Sequence, residues 1–212
     1  MLSWRGRESI LRITVFGATG RMGHLLVGQA LDAGHAVTAY ARNPGRLGIS
    51  HPSLSVLAGQ LDNDEAVLAA VQGADAVIEG VGAVSDGTRR IIAAMDTSGV
   101  RRLVAVSTCS VTDPQDLPDA KFKALVQFVK IAAPGPYREV RRAAGIVRAS
   151  GLDWTLVRVA KLNNKNAAGQ VKAGYYGHGV VGLSISRADM AAFLLEQAAD
   201  LTYLHQAPAI SG

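Results

Sequence analysis

Cysteine is almost absent from this chain: Cys109 stands alone among 212 residues. No intramolecular disulfide can form, and an oxidising compartment is not implied. The histidines (His24, His35, His51, His178 and His205) lie far apart in no ligand spacing, so no metal site is expected. Aromatic residues make up only 5%, leaving few platforms for stacking single-stranded bases. No apolar run approaches the roughly 20 residues of a membrane span. The first residues, MLSWRGRESILR, lack the apolar core of a signal peptide. A soluble, cytoplasmic protein is the expectation, with no membrane partner and with residues 1–9 as a flexible basic arm. One further absence is local. Between His35 and Ala58 there is no Asp and no Glu.

Hydrophobic residues make up 49% and charged ones 18%, so the chain can fill a sizeable core. The length suits one domain over residues 10–212, with 160–212 supplying its substrate side. The net charge of +5 comes partly from separated pairs (Arg89-Arg90, Arg101-Arg102, Arg141-Arg142) rather than from a stripe. That pattern argues against nucleic acid as a partner and suits a small, phosphate-rich ligand.

Apolar runs of strand length alternate with helical patterns. Strands are expected at 10–16, 36–41, 54–57, 76–81, 103–106 and 154–159. Helices are expected over 21–33, 63–71, 88–98, 122–131, from 134–136 to about 150, and 186–199, with Gly34, Gly73 and Gly99 as stops. Prolines and acidic residues mark 112–118 as a loop, and 162–182 reads as a second, Gly/Asn/Lys-rich loop. Continuous apolar strands joined by crossover helices imply an α/β fold, a Rossmann-like doubly wound parallel sheet.

After the first strand comes Val15-Phe16-Gly17-Ala18-Thr19-Gly20-Arg21-Met22-Gly23. Glycine lets a strand turn sharply into a helix and lets a pyrophosphate approach without meeting a Cβ, while free N–H groups at the helix start face the anion. The strand before and the helix after supply the context such a turn requires. Cofactor-binding residues are therefore expected at Gly17, Ala18, Thr19, Gly20, Arg21, Met22 and Gly23.

The spacing G-x-x-G-x-x-G, with Ala74-Asp75-Ala76-Val77-Ile78, Leu103-Val104-Ala105-Val106-Ser107, Ser150-Gly151-Leu152-Asp153-Trp154-Thr155-Leu156-Val157-Arg158 and Ile185-Ser186-Arg187-Ala188-Asp189-Met190-Ala191, resembles the atypical short-chain dehydrogenase/reductases. Within them it looks most like the compact NAD(P)H-binding group of biliverdin reductase B-type flavin reductases and NmrA-like proteins. The resemblance runs over about residues 10–212. It implies an oxidoreductase that reduces a small carbonyl, flavin or quinone-like acceptor. Two alternatives stay open: a redox sensor of NmrA-like type that binds the cofactor without turnover, and an epimerase- or dehydratase-like enzyme. A homodimer or a regulatory protein partner is compatible with either class.

NAD-binding relatives place an acidic side chain at the end of the second strand for the ribose 2′-hydroxyl. Here that strand ends Tyr40-Ala41-Arg42, with Arg46 close behind. A guanidinium suits a phosphate monoester, so NADP(H) is expected over NAD(H), with Arg42 on the 2′-phosphate. Gln60, Leu61 and Asp62 follow the third strand where relatives contact the adenine; Asp62 reads equally well as a helix cap. Val81 and Gly82 resemble the segment beside the adenine ribose, and Val159 stands where relatives carry a proline near the nicotinamide.

The resemblance implies Ser107 or Thr108 as the group that polarises the acceptor, with Ser107 also near the cofactor. Tyr137 occupies the place of the proton-donating tyrosine, followed by Arg141 where lysine is usual. An arginine one turn away still lowers a phenol's pKa but cannot pass a proton. A one-residue uncertainty in aligning Tyr137 turns it by roughly 100° on a helix. Cys109 reads as a small buried hydrophobe. Phe122, Leu125, Val126, Phe128 and Val129 read as the roof of a substrate pocket, or as a helix packing on its own core.

Overall fold

The computed structural model describes residues 10–81 and 84–212. The expected arm over 1–9 and the expected contact at Gly82 lie outside the described residues. β1 (Arg12–Phe16) runs into α1 (Arg21–Asp32) through the glycine turn. Gly34, at φ +85°, then reverses the chain into β2 (Ala36–Ala41). β3 (Leu54–Ala58) leads to α2 (Asp64–Val71), which Asn63 caps by accepting the Ala66 N–H at 3.0 Å. The cap is therefore Asn63 and not Asp62.

β4 (Ala76–Glu79) and α3 (Ser85–Ser98) follow, and Gly99 closes α3 in the left-handed region. β5 (Arg102–Thr108) is two residues longer at its C-terminal end than the apolar run suggests. α4 (Ala120–Ala132) starts at Asp119, whose carboxylate accepts two backbone N–H groups. α5 (Pro134–Ala149), β6 (Asp153–Val159) and α6 (Arg187–Ala199) complete the larger elements.

Four short strands were not expected. β7 (Leu162–Asn163) pairs with β9 (Ile185–Ser186), and β8 (Lys172–Gly174) pairs with β10 (Ala209–Ser211). Segments of two or three residues carry no periodicity. They are fixed instead by backbone pairing with distant segments, β10 lying parallel to β6 as well as antiparallel to β8; in the loop before β8, both Asp189 carboxylate oxygens accept backbone N–H groups, from Ala168 and Gly169.

The main sheet has the order β3-β2-β1-β4-β5-β6-β10-β8, parallel except for β8 against β10. Side-chain alternation feeds two cores. Ile13, Val15 and Val104 pack beneath α1 and α6, whereas Phe16, Leu103 and Ala105 pack beneath α2, α3 and α5. A sheet covered on both faces explains why its strands read as continuous apolar runs. All C-terminal ends of the parallel strands reach the same edge, and the glycine turn lies on it.

Arg158 ties the later part of the fold together and is fully buried. It meets Asp116 in a two-pronged pair at 2.6 and 2.8 Å and donates to the Ala207 and Val111 carbonyls. Its guanidinium also lies 4.8 Å from the centre of the Tyr176 ring. Burial works to raise the Asp116 carboxyl, but the bonds from Arg158 and from backbone N–H groups outweigh it and hold the group below the ordinary carboxylate range.

Candidate functional site

A groove of about 670 Å³ opens along the C-terminal edge of β1, β2 and β4, within the size range of small-molecule sites. Its floor is the glycine turn. Gly17 sits at φ +85°, and a Cβ there would come within 3.0 Å of the Gly80 backbone. A Cβ on Gly23 would lie 2.1 Å from the Gly17 carbonyl oxygen, so only glycine lets α1 start this close to the turn. Gly20 forms the N-cap of α1 and offers no side chain to its first N–H groups. Those donors point outward at the positive end of a twelve-residue helix, the arrangement an anion needs. The bare turn and uncapped helix start fit a pyrophosphate.

One wall comes from the end of β2. Arg42 and Arg46 are exposed on the groove, and neither makes an ion pair among the described residues. Tyr40 donates its hydroxyl to the Gln60 carbonyl at 2.8 Å and leans on Phe16 with ring centres 5.1 Å apart. Burial, aided by Asp62, pushes its phenol up, so it stays neutral. A Cβ on Gly59 would come within 2.1 Å of the Tyr40 hydroxyl oxygen, which explains the glycine after β3. Gln60, Leu61 and Asp62 continue along this wall, and Val81 faces it from the end of β4. The far wall is α3, where Gly87 gives Leu61 room and Arg90 pairs with Asp64.

Thus Gly17, Thr19, Gly20, Arg42, Gln60, Leu61, Asp62 and Val81 come together in one groove. Ala18 and Met22 lie beneath it in the core, with Gly23 packed against the turn. Arg21 opens instead onto a second groove of about 500 Å³, beside His24, Lys165 and Arg187. Tyr40, Gly59, Val84, Gly87 and Arg90 belong to the first groove and escaped the sequence reading. Gly87 fell just before the helix expected over 88–98; α3 begins three residues earlier, at Ser85, and takes it in.

The residues expected at the chemistry are more dispersed. Ser107 is buried, and its hydroxyl has no hydrogen-bond partner among the described residues. It lines a small cavity with Glu79 and Thr88. Thr108 is half-buried and accepts the Ser110 N–H at 3.2 Å. Tyr137, in the first turn of α5, receives Arg141 on its hydroxyl at 3.1 Å and lines neither the groove nor that cavity. The Val159 side chain packs in the core, and its carbonyl accepts the Cys109 N–H.

Phe122 and Val126 of α4 do cover a hollow of about 440 Å³ beyond β5, together with Cys109 and Tyr176. Leu125 is half-buried beside them, Val129 is half-buried, and Phe128 is turned to the outside at 68% exposure. Burial pushes the Cys109 thiol up, so it is a neutral, packed group. Among the described residues no group of three His, Cys, Asp or Glu is placed to hold a metal ion, and no helix is long and apolar enough to cross a membrane.

Comparison with known proteins agrees with this geometry. A reductase of (4-alkanoyl-5-oxo-2,5-dihydrofuran-3-yl)methyl phosphate from Streptomyces griseus is 34% identical over 150 residues, 69% of this chain and 46% of the relative. The chain therefore spans about half the length of that curated relative. A short-chain dehydrogenase/reductase from Veillonella parvula, solved in complex with NADP, superposes with a TM-score of 0.82 at 23% identity, covering 96% of this chain and 95% of its own. An anaerobilin reductase from Escherichia coli gives 0.77 at 21%, over 94% of this chain and 96% of its own. At these identities the two structures establish the Rossmann-like fold. The pattern of the NAD(P)H-binding family matches residues 17–201, from the first glycine of the turn to the end of α6 and just beyond, and the chain belongs to that family.

Proposed function

We propose that the protein is an NADPH-dependent reductase of a small carbonyl, flavin or quinone-like acceptor. The observation that carries this reading is the groove itself. An uncapped helix start at Gly20 stands at one side of it and two guanidinium groups without an ion-pair partner among the described residues, Arg42 and Arg46, at another, where an NAD-reading acid would stand. When bound, the nicotinamide supplies a hydride. The chain's own residues do the rest. The α1 N-terminus holds the pyrophosphate, Arg42 pairs with the 2′-phosphate, and Gln60 or Asp62 meets the adenine. Ser107 or Thr108, at the end of β5, orients the acceptor. The apolar hollow under Phe122 and Val126 excludes water from a flat ligand. Relatives named as reductases of a furanone phosphate and of anaerobilin support an acceptor that is small or planar.

Steady-state oxidation of NADPH with menadione, free flavin and simple aldehydes tests the reading. Turnover with at least one acceptor is expected, faster with NADPH than with NADH. The second reading, a redox sensor without turnover, draws on Tyr137, whose hydroxyl is engaged by Arg141 away from the groove. Tight binding of both cofactor redox states with no turnover on any acceptor would replace the enzyme by the sensor.

A further inference from the structure

Arg21, the first residue of α1, lines the second groove of about 500 Å³ and not the cofactor groove. His24, one turn further along α1, lines it too. The loop after β7 brings Lys165 to the same groove, and the first turn of α6 brings Arg187. Among the described residues the two grooves share no lining residue, although Gly20 of the first and Arg21 of the second are neighbours in the chain.

Three permanent cations thus line one groove, and no acidic side chain lines it among the described residues. Nor does Arg21, Lys165 or Arg187 have an ion-pair partner among them. Asp189, two residues beyond Arg187, is 3% exposed, and its carboxylate is taken by the Ala168 and Gly169 N–H groups and the Ser186 hydroxyl. Like charges gathered without a counter-charge repel one another, and an anion among them relieves that repulsion. The backbone that carries them is tied down. Asn163 accepts the Lys165 N–H at 2.9 Å, and Asp189 holds the far end of the same loop. Arg187 is half-buried and donates to the Asn164 Oδ1 at 2.5 Å, which leaves most of its N–H groups for a ligand.

We propose that this groove binds a small organic phosphate monoester, at a site separate from that of the cofactor. A phosphate carries close to two negative charges and three acceptor oxygens, which three cations and a histidine ring can share. A carboxylate, with one charge, would leave part of the cluster uncompensated. The groove is also larger than one phosphate needs, and Leu25, Ala167 and Ala188 give it an apolar stretch for an organic body. The site requires no hydride transfer, so it stands apart from the reductase reading.

Titration calorimetry with phenyl phosphate on the purified protein tests it. Binding is expected with a Kd below about 1 mM. Lys165→Glu and Arg187→Glu should each weaken it at least about tenfold, whereas Lys130→Glu, the same change of charge on the exposed side of α4, should leave it unchanged. Inorganic phosphate should bind about tenfold more weakly, and benzyl alcohol not measurably. The Kd for NADPH, read by nicotinamide fluorescence, should be the same in Lys165→Glu as in wild type, and phenyl phosphate should still bind to protein saturated with NADPH. No binding of phenyl phosphate, or equal weakening by all three glutamate variants, overturns the site. Binding that Arg42→Ala abolishes and Lys165→Glu spares assigns the phosphate to the cofactor groove and overturns it as well. Competition with NADPH overturns the separateness of the two sites, and inorganic phosphate binding as tightly as phenyl phosphate overturns the organic ligand.

Discussion

At the scale of single residues, burial sets the behaviour of the ionisable groups that matter most. Glu79 has its carboxyl raised from 4.5 to about 7 by burial, so its neutral form is favoured in the folded protein. The sign for stability follows. Below pH 4.5 the group is neutral both folded and unfolded, and the fold bears no penalty. As pH rises toward 7 the unfolded chain ionises freely while the folded one resists, and stability falls by about 3 kcal/mol. Glu79→Gln should remove this loss, raising the melting temperature at pH 8 by about 6 to 12 °C relative to wild type and leaving pH 4 nearly unchanged. Thermal melts of both proteins across pH 4–8 check it; parallel curves would refute it. Glu79 was invisible in the sequence because the strand expected over 76–81 ran through it, whereas β4 ends at Glu79 itself. Whether such an acid points into the protein depends on α3 and α5, which the local pattern does not place. The glycine turn was legible for the opposite reason: its requirements are local, a positive φ at Gly17 and contact between adjacent segments at Gly23.

At the scale of elements, legibility tracked length. α1, α2 and α6 were readable to within a residue or so because their punctuation is in the chain: Gly34, Asn63, and Ser186 accepting the Asp189 N–H. β7, β8, β9 and β10 exist because segments far apart in the chain pair with one another, and no window of two or three residues shows that. Arg158 is the strongest such tie. It joins the loop at Val111–Asp116 to β6, to the carbonyl of Ala207 before β10 and to the Tyr176 ring. Removing Asp116 leaves a buried guanidinium without its partner carboxylate. Asp116→Ala is expected to destabilise by about 3–5 kcal/mol, measured by urea unfolding. It should also loosen the hollow between Cys109, Phe122 and Tyr176, seen as faster proteolysis within 111–118. A loss under 1 kcal/mol would show that the pair contributes little to the fold. The stability that Asp116 contributes is present above its unfolded pKa and is lost as pH falls through its lowered folded value.

At the scale of the whole molecule, the sheet order brings the ends of β1, β2 and β4 to one edge, so that residues between Gly17 and Arg90 build one continuous groove. That convergence is what the spacing of motifs along a parallel α/β chain implies, and much of the groove's lining was readable. The surroundings of the residues expected at the chemistry were not. Ser107, Tyr137 and Phe122 lie in three different surroundings, and their distances depend on how α4 and α5 pack over β5. Sequence position constrains such packing weakly. Part of the excess positive charge faces this groove, where Arg42 and Arg46 have no ion-pair partner among the described residues.

Titration of the purified protein with NADPH and NADH, followed by nicotinamide fluorescence on wild type and Arg42→Ala, bears directly on the proposed cofactor and on Arg42 as the residue that reads it. Wild type is expected to bind NADPH at least tenfold more tightly than NADH. Arg42→Ala should lose about 1.5–3 kcal/mol toward NADPH and almost nothing toward NADH. Equal affinity for the two cofactors in wild type, or an Arg42→Ala that weakens both alike, would contradict it.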